Sequence, residues 1–159
     1  MDISRTNSLV ELFFDRLEKI DKKKPFLTWL KNKDYQFSWG EVSEKIFKLS
    51  NKIRSLIQEG DRCILLSENR PEWLISDIAI MNAGGISVPI FTTYSASDYE
   101  YILNDCKPSI IIVSNNNQFK KIKKFIGAEV KKIFSFEKLE SPSLLISDIY
   151  NENTKDKTI

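Results

Sequence analysis

Two short apolar runs with an amphipathic segment between them predict a βαβ unit in the middle of the chain. Residues 62–66 and 86–90 are continuous apolar runs of the kind that form buried strands. Pro71 follows the first run, and proline suits the first turn of a helix, where no backbone N–H is needed. The residues after it place an apolar stripe at helical spacing, made of Leu74, Ile75, Ile78 and Ala79. Gly84-Gly85 ends that helix, so we expect two parallel strands joined by a right-handed crossover.

The residues before this unit predict a helix, a hairpin and a second helix. Apolar side chains at helical spacing predict a helix over residues 9–20, with Ser8 and Glu11 as a capping box. Two β-type segments, 26–30 and 35–38, flank the polar residues 31–34 and predict a hairpin. Ser38 and Glu41 repeat the capping pattern before the best amphipathic stretch in the chain: Val42, Ile46, Leu49, Ile53, Leu56 and Ile57. Gly60 is the expected left-handed residue beyond this second helix.

The pattern after the central unit continues to alternate between helix and strand. It predicts a helix over residues 98–104, a strand over 109–114, a basic helix over 118–125 and a strand over 132–136. The order β-α-β-α-β-α-β predicts an α/β fold with a doubly wound, mostly parallel sheet behind the helix and hairpin lead-in.

We divide the chain into three parts of a single partial domain. Residues 1–60 hold the first helix, the hairpin and the second helix, and residues 61–136 hold the βαβαβαβ subdomain. From Glu137 the pattern dissolves, and the brief apolar stretch at 144–149 resembles an unfinished element. Residues 137–159 are therefore predicted to be a poorly patterned tail.

Composition excludes several classes of function. Apolar residues make up 42% of the 159 residues, enough for a core, and the net charge of +2 gives no reason to expect nucleic acid as a partner. No histidine occurs, which removes histidine acid–base chemistry and histidine metal ligands from this chain. Cys63 and Cys106 show neither CxxC spacing nor a partner histidine, so we expect buried, reduced thiols and no metal site.

Location is predicted to be cytoplasmic. The amino terminus has no apolar signal-peptide region, and no apolar run approaches the ~20 residues that span a bilayer. Lysines cluster at 22–24, 120–124 and 131–132. We interpret them as solvated faces, with weak attraction to anionic lipid at the inner face of a membrane as the alternative.

One loop has the character of a binding site. Thr92, Thr93 and Tyr94 follow a predicted parallel strand directly, and loops at the carboxyl ends of such strands collect ligands. They are candidates for substrate binding. The alternative is a loop that bonds its own backbone and caps the next helix through Ser95 or Ser97.

The glycines do not form a phosphate-binding loop. Their positions, at residues 40, 60, 84, 85 and 127, give neither G-x-G-x-x-G after a strand nor G-x-x-x-x-G-K-[ST]. Gly84-Gly85 follows a helix, so we predict a helix stop with close packing there.

Several of these motifs, in this order, resemble the amino-terminal part of the AMP-forming acyl-CoA synthetases. They are SENRPEW at 67–73, NAGG at 82–85, VPI at 88–90 and YILND at 101–105. In the lead-in, SWGE at 38–41 and GDR at 60–62 correspond to the family's helix start and first strand. The resemblance covers roughly residues 25–114 and is greatest to the long-chain fatty acid–CoA ligase branch.

The resemblance implies a function for a longer protein. In the family a fatty carboxylate attacks the α-phosphate of Mg-ATP, and coenzyme A then displaces AMP to give the acyl-CoA. ATP is held by a Ser/Thr/Gly-rich loop ending in Pro-Lys-Gly, which lies downstream of the matched region and is absent from this sequence. The resemblance therefore implies ATP, CoA and Mg²⁺ for the full-length enzyme, no catalytic, cofactor-binding or metal-binding residue in this chain, and an inactive isolated segment.

Other interpretations stay open beside this one. The chain is expected to pack against the missing remainder of its domain, and a homodimer or peripheral membrane contact are further options. A stand-alone α/β binding or interaction module without catalysis is the alternative from another class. Another acyl- or aryl-adenylating enzyme of the same superfamily is the alternative within it.

Overall fold

The lead-in forms as a helix, a hairpin and a second helix in the computed structural model, which describes residues 7–30 and 32–152. Helix α1 spans Leu9–Glu18, strands β1 (Pro25–Trp29) and β2 (Asn32–Ser38) pair antiparallel, and helix α2 spans Trp39–Arg54. The hairpin prediction is confirmed, although β2 begins at Asn32, inside the predicted turn. Lys31 of that turn lies outside the described residues.

The predicted capping box of α2 is complete, whereas that of α1 is half formed, because the Glu11 carboxylate accepts from the N–H of Asn7 at 2.6 Å instead of that of Ser8. The Ser8 hydroxyl accepts from the N–H of Glu11 at 3.1 Å. At the start of α2, the Ser38 hydroxyl accepts from the N–H of Glu41, and the Glu41 carboxylate accepts from the N–H of Ser38 at 2.7 Å. These contacts satisfy N–H groups that have no partner inside a helix.

Helix α2 ends earlier than its apolar stripe predicts. Leu56 and Ile57 were expected in it, but the last helical residue is Arg54. The N–H of Leu56 bonds the carbonyl of Ile53 at 2.8 Å, which tightens the final turn, and the chain then turns through Gly60 at φ +82°. Leu56 and Ile57 still pack against the core from this turn.

The remainder builds a five-stranded parallel sheet. In chain order the elements are β3 (Arg62–Leu66), α3 (Pro71–Asn82), β4 (Ile86–Ile90), α4 (Ala96–Cys106), β5 (Ile110–Val113), α5 (Asn116–Ile122), a 3₁₀ turn (Lys123–Phe125), β6 (Lys132–Ser135), β7 (Leu144–Leu145) and α6 (Ile146–Asn151). The strand order is β4-β3-β5-β6-β7, and each neighbouring pair is parallel. The predicted α/β fold is confirmed.

Both faces of the sheet are covered. Alternate residues of a strand point to opposite faces, and in β3 Cys63 and Leu65 join the cluster under α1, α2 and α3. Ile64 and Leu66 join the cluster under α4 and α5. This arrangement explains why β3 and β5 are apolar at successive positions rather than alternating.

The region after Glu137 contains two short elements that periodicity does not predict. Leu144–Leu145 adds the fifth strand beside β6, and α6 packs against α2 with Ile146 and Ile149 buried. A strand of two residues and a helix of six are shorter than the windows in which a hydrophobic period is readable. The division of the chain at residues 60 and 136 stays a prediction.

Gly84-Gly85 ends α3 as predicted. Gly84 adopts φ +91°, a conformation that favours glycine. A Cβ on Gly85 would lie 3.0 Å from Cδ1 of Ile57 and 3.2 Å from Cγ2 of Ile80, so a side chain here would push these neighbours aside by a few tenths of an ångström.

Candidate functional site

A groove of about 500 Å³ lies at the carboxyl ends of β3 and β4. The two strands are parallel neighbours, so the loops that follow them emerge side by side. The volume is within the range of small-molecule sites. The lining residues are Ser67, Glu68 and Asn69 after β3, Trp73 on α3, and Pro89, Ile90, Phe91, Thr92 and Thr93 from β4 and its loop.

The chemistry of the groove suits a neutral or partly apolar ligand. Trp73, Ile90 and Phe91 supply apolar surface, and the hydroxyl and amide groups beside them can orient a polar head. Glu68 is the one ionisable side chain among the described residues that line it. Phosphoryl groups are held by cationic side chains or by backbone N–H groups of glycine-rich loops, and the described residues of this lining include neither a cationic side chain nor a glycine.

Of the predicted loop residues 92–94, two line the groove and the third packs against neighbouring aromatic rings. Thr92 and Thr93 line the groove, whereas Tyr94 is not among its lining residues. The Tyr94 ring packs edge-on against Phe91, with ring centroids 5.4 Å apart, and lies 6.2 Å from the ring of Tyr99. The role of these three residues in substrate binding stays a prediction.

The Ser95 cap that the alternative interpretation expected is present, and side chains of α4 and α5 also hold the loop. The Tyr99 hydroxyl donates to the carbonyl of Phe91 at 2.9 Å, and the ammonium of Lys121 donates to the carbonyl of Thr92. Ser95 caps α4 in a capping box with Asp98. The loop is therefore fixed by its neighbours, with the side chains of Thr92 and Thr93 left at the groove.

Sequence reasoning missed the loop after β3. Strand β3 is the point where the strand order reverses, since β4 lies on one side of it and β5 on the other. Glu68 bridges this point, accepting a hydrogen bond from the buried side chain of Gln118 at 2.6 Å. Burial opposes ionisation of Glu68, but hydrogen bonds, including the one from Gln118, hold the pKa of its carboxyl below the ordinary value. A strand-order prediction would have been needed to find it.

Arg70 and Glu72 form a largely buried ion pair, and in sequence they stand between Asn69 and Trp73 of the groove lining. Nε and an Nη atom of Arg70 donate to the two Glu72 oxygens at 3.0 and 3.2 Å, and the other Nη donates to Glu137 at 3.0 Å. The Tyr35 hydroxyl donates to the same Glu72 carboxylate. The Arg70 guanidinium also lies 5.1 Å from the ring centroid of Trp29. This cluster joins the hairpin, α3 and the loop after β6.

The ionisation of the cluster follows from these contacts. Burial alone would raise the pKa of the Glu72 carboxyl, but the hydrogen bonds from Arg70 and Tyr35 hold it below its ordinary value. Burial and the hydrogen bond to Glu72 raise the pKa of Tyr35 to about 12. At neutral pH Arg70 is therefore a cation, Glu72 a carboxylate and Tyr35 a neutral phenol, an arrangement suited to structure.

The cysteines have no arrangement for catalysis. Both are free thiols, and burial raises the pKa of Cys63 to about 12 and that of Cys106 above its ordinary value. Within residues 7–30 and 32–152, no group of three or more His, Cys, Asp or Glu side chains is placed to hold a metal ion. The same part of the chain has no helix with the length and apolar character needed to cross a bilayer.

The sequence of this chain is similar to those of known enzymes. The sequence pattern of the family described as "AMP-binding enzyme" matches residues 14–157. Fatty acyl-CoA synthetase A of Dictyostelium discoideum is 30% identical over 125 residues, which are 76% of this chain and 18% of that protein. The long-chain-fatty-acid–CoA ligase ACSBG2 of Xenopus laevis is 41% identical over 58 residues, 36% of this chain and 8% of that protein.

A solved structure of a CoA ligase shares the fold of this chain. The anthranilate CoA ligase AuaEII, in complex with anthranoyl-AMP, superposes with a TM-score of 0.73 at 25% identity, covering 87% of this chain and 27% of that one. This chain therefore spans less than a third of the length of each of these relatives. With the family pattern over most of its length and the fold in agreement, the chain belongs to the AMP-binding enzyme family.

Proposed function

We propose that this chain is the amino-terminal scaffold of an AMP-forming long-chain fatty acyl-CoA ligase. The longer protein would convert a fatty acid, ATP and CoA into acyl-CoA, AMP and pyrophosphate. The family match over residues 14–157 carries this proposal, and the fatty acyl-CoA synthetase relatives support the choice of acid. Because those relatives are several times longer than the match, the activity is proposed for the longer protein alone.

The groove is the contribution of this chain to the substrate-binding region. It lies at the carboxyl edge of the sheet, where ligands of open α/β folds bind. Its apolar surface of Trp73, Ile90 and Phe91, with Thr92 and Thr93 at one side, fits an uncharged part of a substrate.

The phosphates of ATP and the Mg²⁺ that accompanies them do not fit the described residues. The groove lining has no cationic side chain, and no cluster of metal-ligating residues occurs in the described part of the chain. We therefore assign the binding of ATP, Mg²⁺ and CoA to residues outside these 159 and derive no chemical step here.

An aryl-CoA ligase is the second candidate. The similarity to the anthranilate CoA ligase favours it, because that enzyme shares the fold at 25% identity. The two candidates differ in the acid that the longer protein accepts and agree on the class of reaction.

The test is acyl-CoA formation by the product of the complete reading frame that encodes this chain. The acids to compare are palmitate, octanoate, acetate and anthranilate, with ATP, Mg²⁺ and CoA present and the thioester separated by chromatography. We expect palmitoyl-CoA to form fastest. Preference for anthranilate would favour the aryl ligase, and no thioester with any of the acids would contradict the proposal.

A further inference from the structure

One short segment, residues 69–73, contributes to the walls of two separate cavities. Asn69 and Trp73 line the groove. Arg70 and Glu72, which stand between them in sequence, line a second cavity of about 280 Å³ between the hairpin and α6. The two cavities have this segment in common but share no lining residue. The contacts that hold Arg70 and Glu72 on one side therefore influence where Asn69 and Trp73 stand on the other.

The first turn of α3 takes its support from outside the helix. Arg70 occupies the N-cap position, and within the described residues no side chain makes a capping hydrogen bond there. Helices α2 and α4 differ, because each is capped by the serine before it and a carboxylate of its own first turn. In α3 the carboxylate of the first turn, that of Glu72, instead accepts from the side chains of Arg70 and Tyr35.

The hydrogen bond from Tyr35 connects α3 to the hairpin. Tyr35 belongs to β2 and stands 37 residues before Glu72 in the chain. Its ring packs edge-on within the hairpin, with centroid distances of 5.7 Å to Trp29 and 4.9 Å to Phe37. The Tyr35 hydroxyl therefore joins a packed part of the hairpin to the helix turn that carries Trp73.

The position of Trp73 depends on this turn. The N–H of Trp73 donates to the carbonyl of Arg70 at 3.0 Å, which closes the first turn of α3. Its side chain is partly buried and packs against the core under α1, α2 and α3, and it also lines the groove. Tryptophan is a large, rigid side chain, so a small movement of the turn changes the shape of the groove.

We propose that Tyr35 is a positioning residue for the groove, which it shapes through Glu72 and Trp73 without lining it. The hydroxyl holds the Glu72 carboxylate, the carboxylate fixes the first turn of α3, and that turn sets the Trp73 ring at the groove. The effect on the Trp73 ring is a property of this chain alone, whereas an effect on acid binding rests on the proposed function.

Removing this hydroxyl leaves the ion pair in place. The two hydrogen bonds from Arg70 to Glu72, at 3.0 and 3.2 Å, do not involve Tyr35. Tyr35→Phe also keeps the ring that packs in the hairpin. This variant therefore separates the positioning of Trp73 from the folding of the chain.

The test is fluorine NMR of the 159-residue chain labelled with 5-fluorotryptophan. The chain has three tryptophans, and single Trp→Phe variants assign their resonances. In Tyr35→Phe we expect the Trp73 resonance to shift by more than its linewidth, because the turn that carries the ring loses one of its supports. Trp39, stacked on Phe26 with centroids 3.9 Å apart, should keep its resonance and thereby report that the hairpin stays packed.

Gln36→Ala is the matched control. Gln36 is the neighbour of Tyr35 on β2, and its side chain donates to Oγ1 of Thr28 at 2.8 Å on the exposed surface of the hairpin. Its removal should leave the Trp73 resonance unchanged. The proposal is overturned if Tyr35→Phe leaves the Trp73 resonance in place, if Gln36→Ala moves it equally, or if the Trp39 resonance moves with it.

The product of the complete reading frame gives a second readout. Tyr35→Phe should raise its KM for palmitate about threefold or more and leave kcat within about twofold, because one hydrogen bond that shapes the groove is lost. An unchanged KM would overturn the role in substrate binding. If the longer protein forms no acyl-CoA, the proposed function fails, and the Trp73 resonance still decides the positioning role.

Discussion

At Glu72 a single carboxylate accepts hydrogen bonds from the hairpin and from the residue that precedes its own helix. Its side chain is 9% exposed and that of Arg70 is 11% exposed, so this ion pair is largely removed from water. A buried charge that loses its partner is costly, because it has already lost its hydration.

Glu72→Gln should therefore lower the free energy of unfolding by about 3 kcal/mol. Chemical denaturation of the variant and the parent measures the difference. Glu44→Gln is the matched control, since Glu44 is 68% exposed in its pair with Lys48 and should cost no more than about 0.5 kcal/mol. Equal losses in the two variants would contradict the structural role of Glu72.

The pH dependence of this difference has a definite sign. The pKa of Glu72 is lower in the folded chain than its ordinary value of 4.5. Its ionised form therefore stabilises the fold above that pH, and this contribution is lost as pH falls through the folded pKa. The gap in unfolding free energy between the parent and Glu72→Gln should be largest near neutral pH and shrink below about pH 4.5. A gap that is constant with pH would show that the carboxylate charge is not responsible.

The space around Gly85 restricts the side chain that this position can accept. An added Cβ would meet Ile57, Ile80 and, at 3.3 Å, the carbonyl oxygen of Asp61. Gly85→Ala should destabilise the chain by about 1–3 kcal/mol through overpacking. Adding Ile57→Val removes the nearest methyl group, Cδ1, and should recover part of that loss, as a double-mutant cycle in urea would show. Purely additive losses would argue against this contact as the cause.

At the scale of elements, the start of α2 depends on one hydroxyl. The Ser38 Oγ satisfies the N–H of Glu41, so Ser38→Ala should cost about 1 kcal/mol of stability. Ser38→Thr keeps a hydroxyl and should restore most of it. Thermal unfolding of the three proteins measures this, and an alanine variant as stable as the parent would contradict the capping role.

Elements with long periodic patterns were predictable from the sequence, and short or space-dependent ones were not. The stripe of α2 and the apolar runs of β3 and β5 are set by local side chains, so they could be read directly. The end of α2 at Arg54 depends on a turn that the stripe does not encode. Strand β7 forms by pairing with the edge of β6. A pairing between distant strands of this kind cannot be read from the hydrophobic pattern of the local sequence.

The residues of the candidate site likewise include some that were predictable from the sequence and one that was not. The position of Thr92 and Thr93 at the groove was predictable, because their loop follows a strand of the sheet, whereas Tyr94, predicted with them, does not line it. Glu68 was not predictable, since its importance comes from the position of β3 between β4 and β5 and from contact with Gln118, fifty residues away. Such a site is visible only when the strand order is known.

At the scale of the whole molecule, large apolar side chains are exposed on β4, on the loop after it and on α4. Ile86 is 51% exposed, Phe91 69% and Tyr101 70%. Pro89 lies on the edge strand β4 and lacks the N–H that an added strand would use. If the remainder of a ligase packs here, the 159-residue chain should bind a hydrophobic dye more strongly than the longer protein does. Equal dye binding would favour the stand-alone module.

The most direct test of the central claim is palmitate-dependent ATP–pyrophosphate exchange. It should be measured side by side for the 159-residue chain and for the product of its complete reading frame. We predict exchange by the longer protein alone, because this sequence contains no phosphate-binding glycine motif and the described groove lining has no cationic side chain. Exchange by the 159-residue chain would contradict its role as a scaffold, and a longer protein inactive with every acid would contradict the ligase itself.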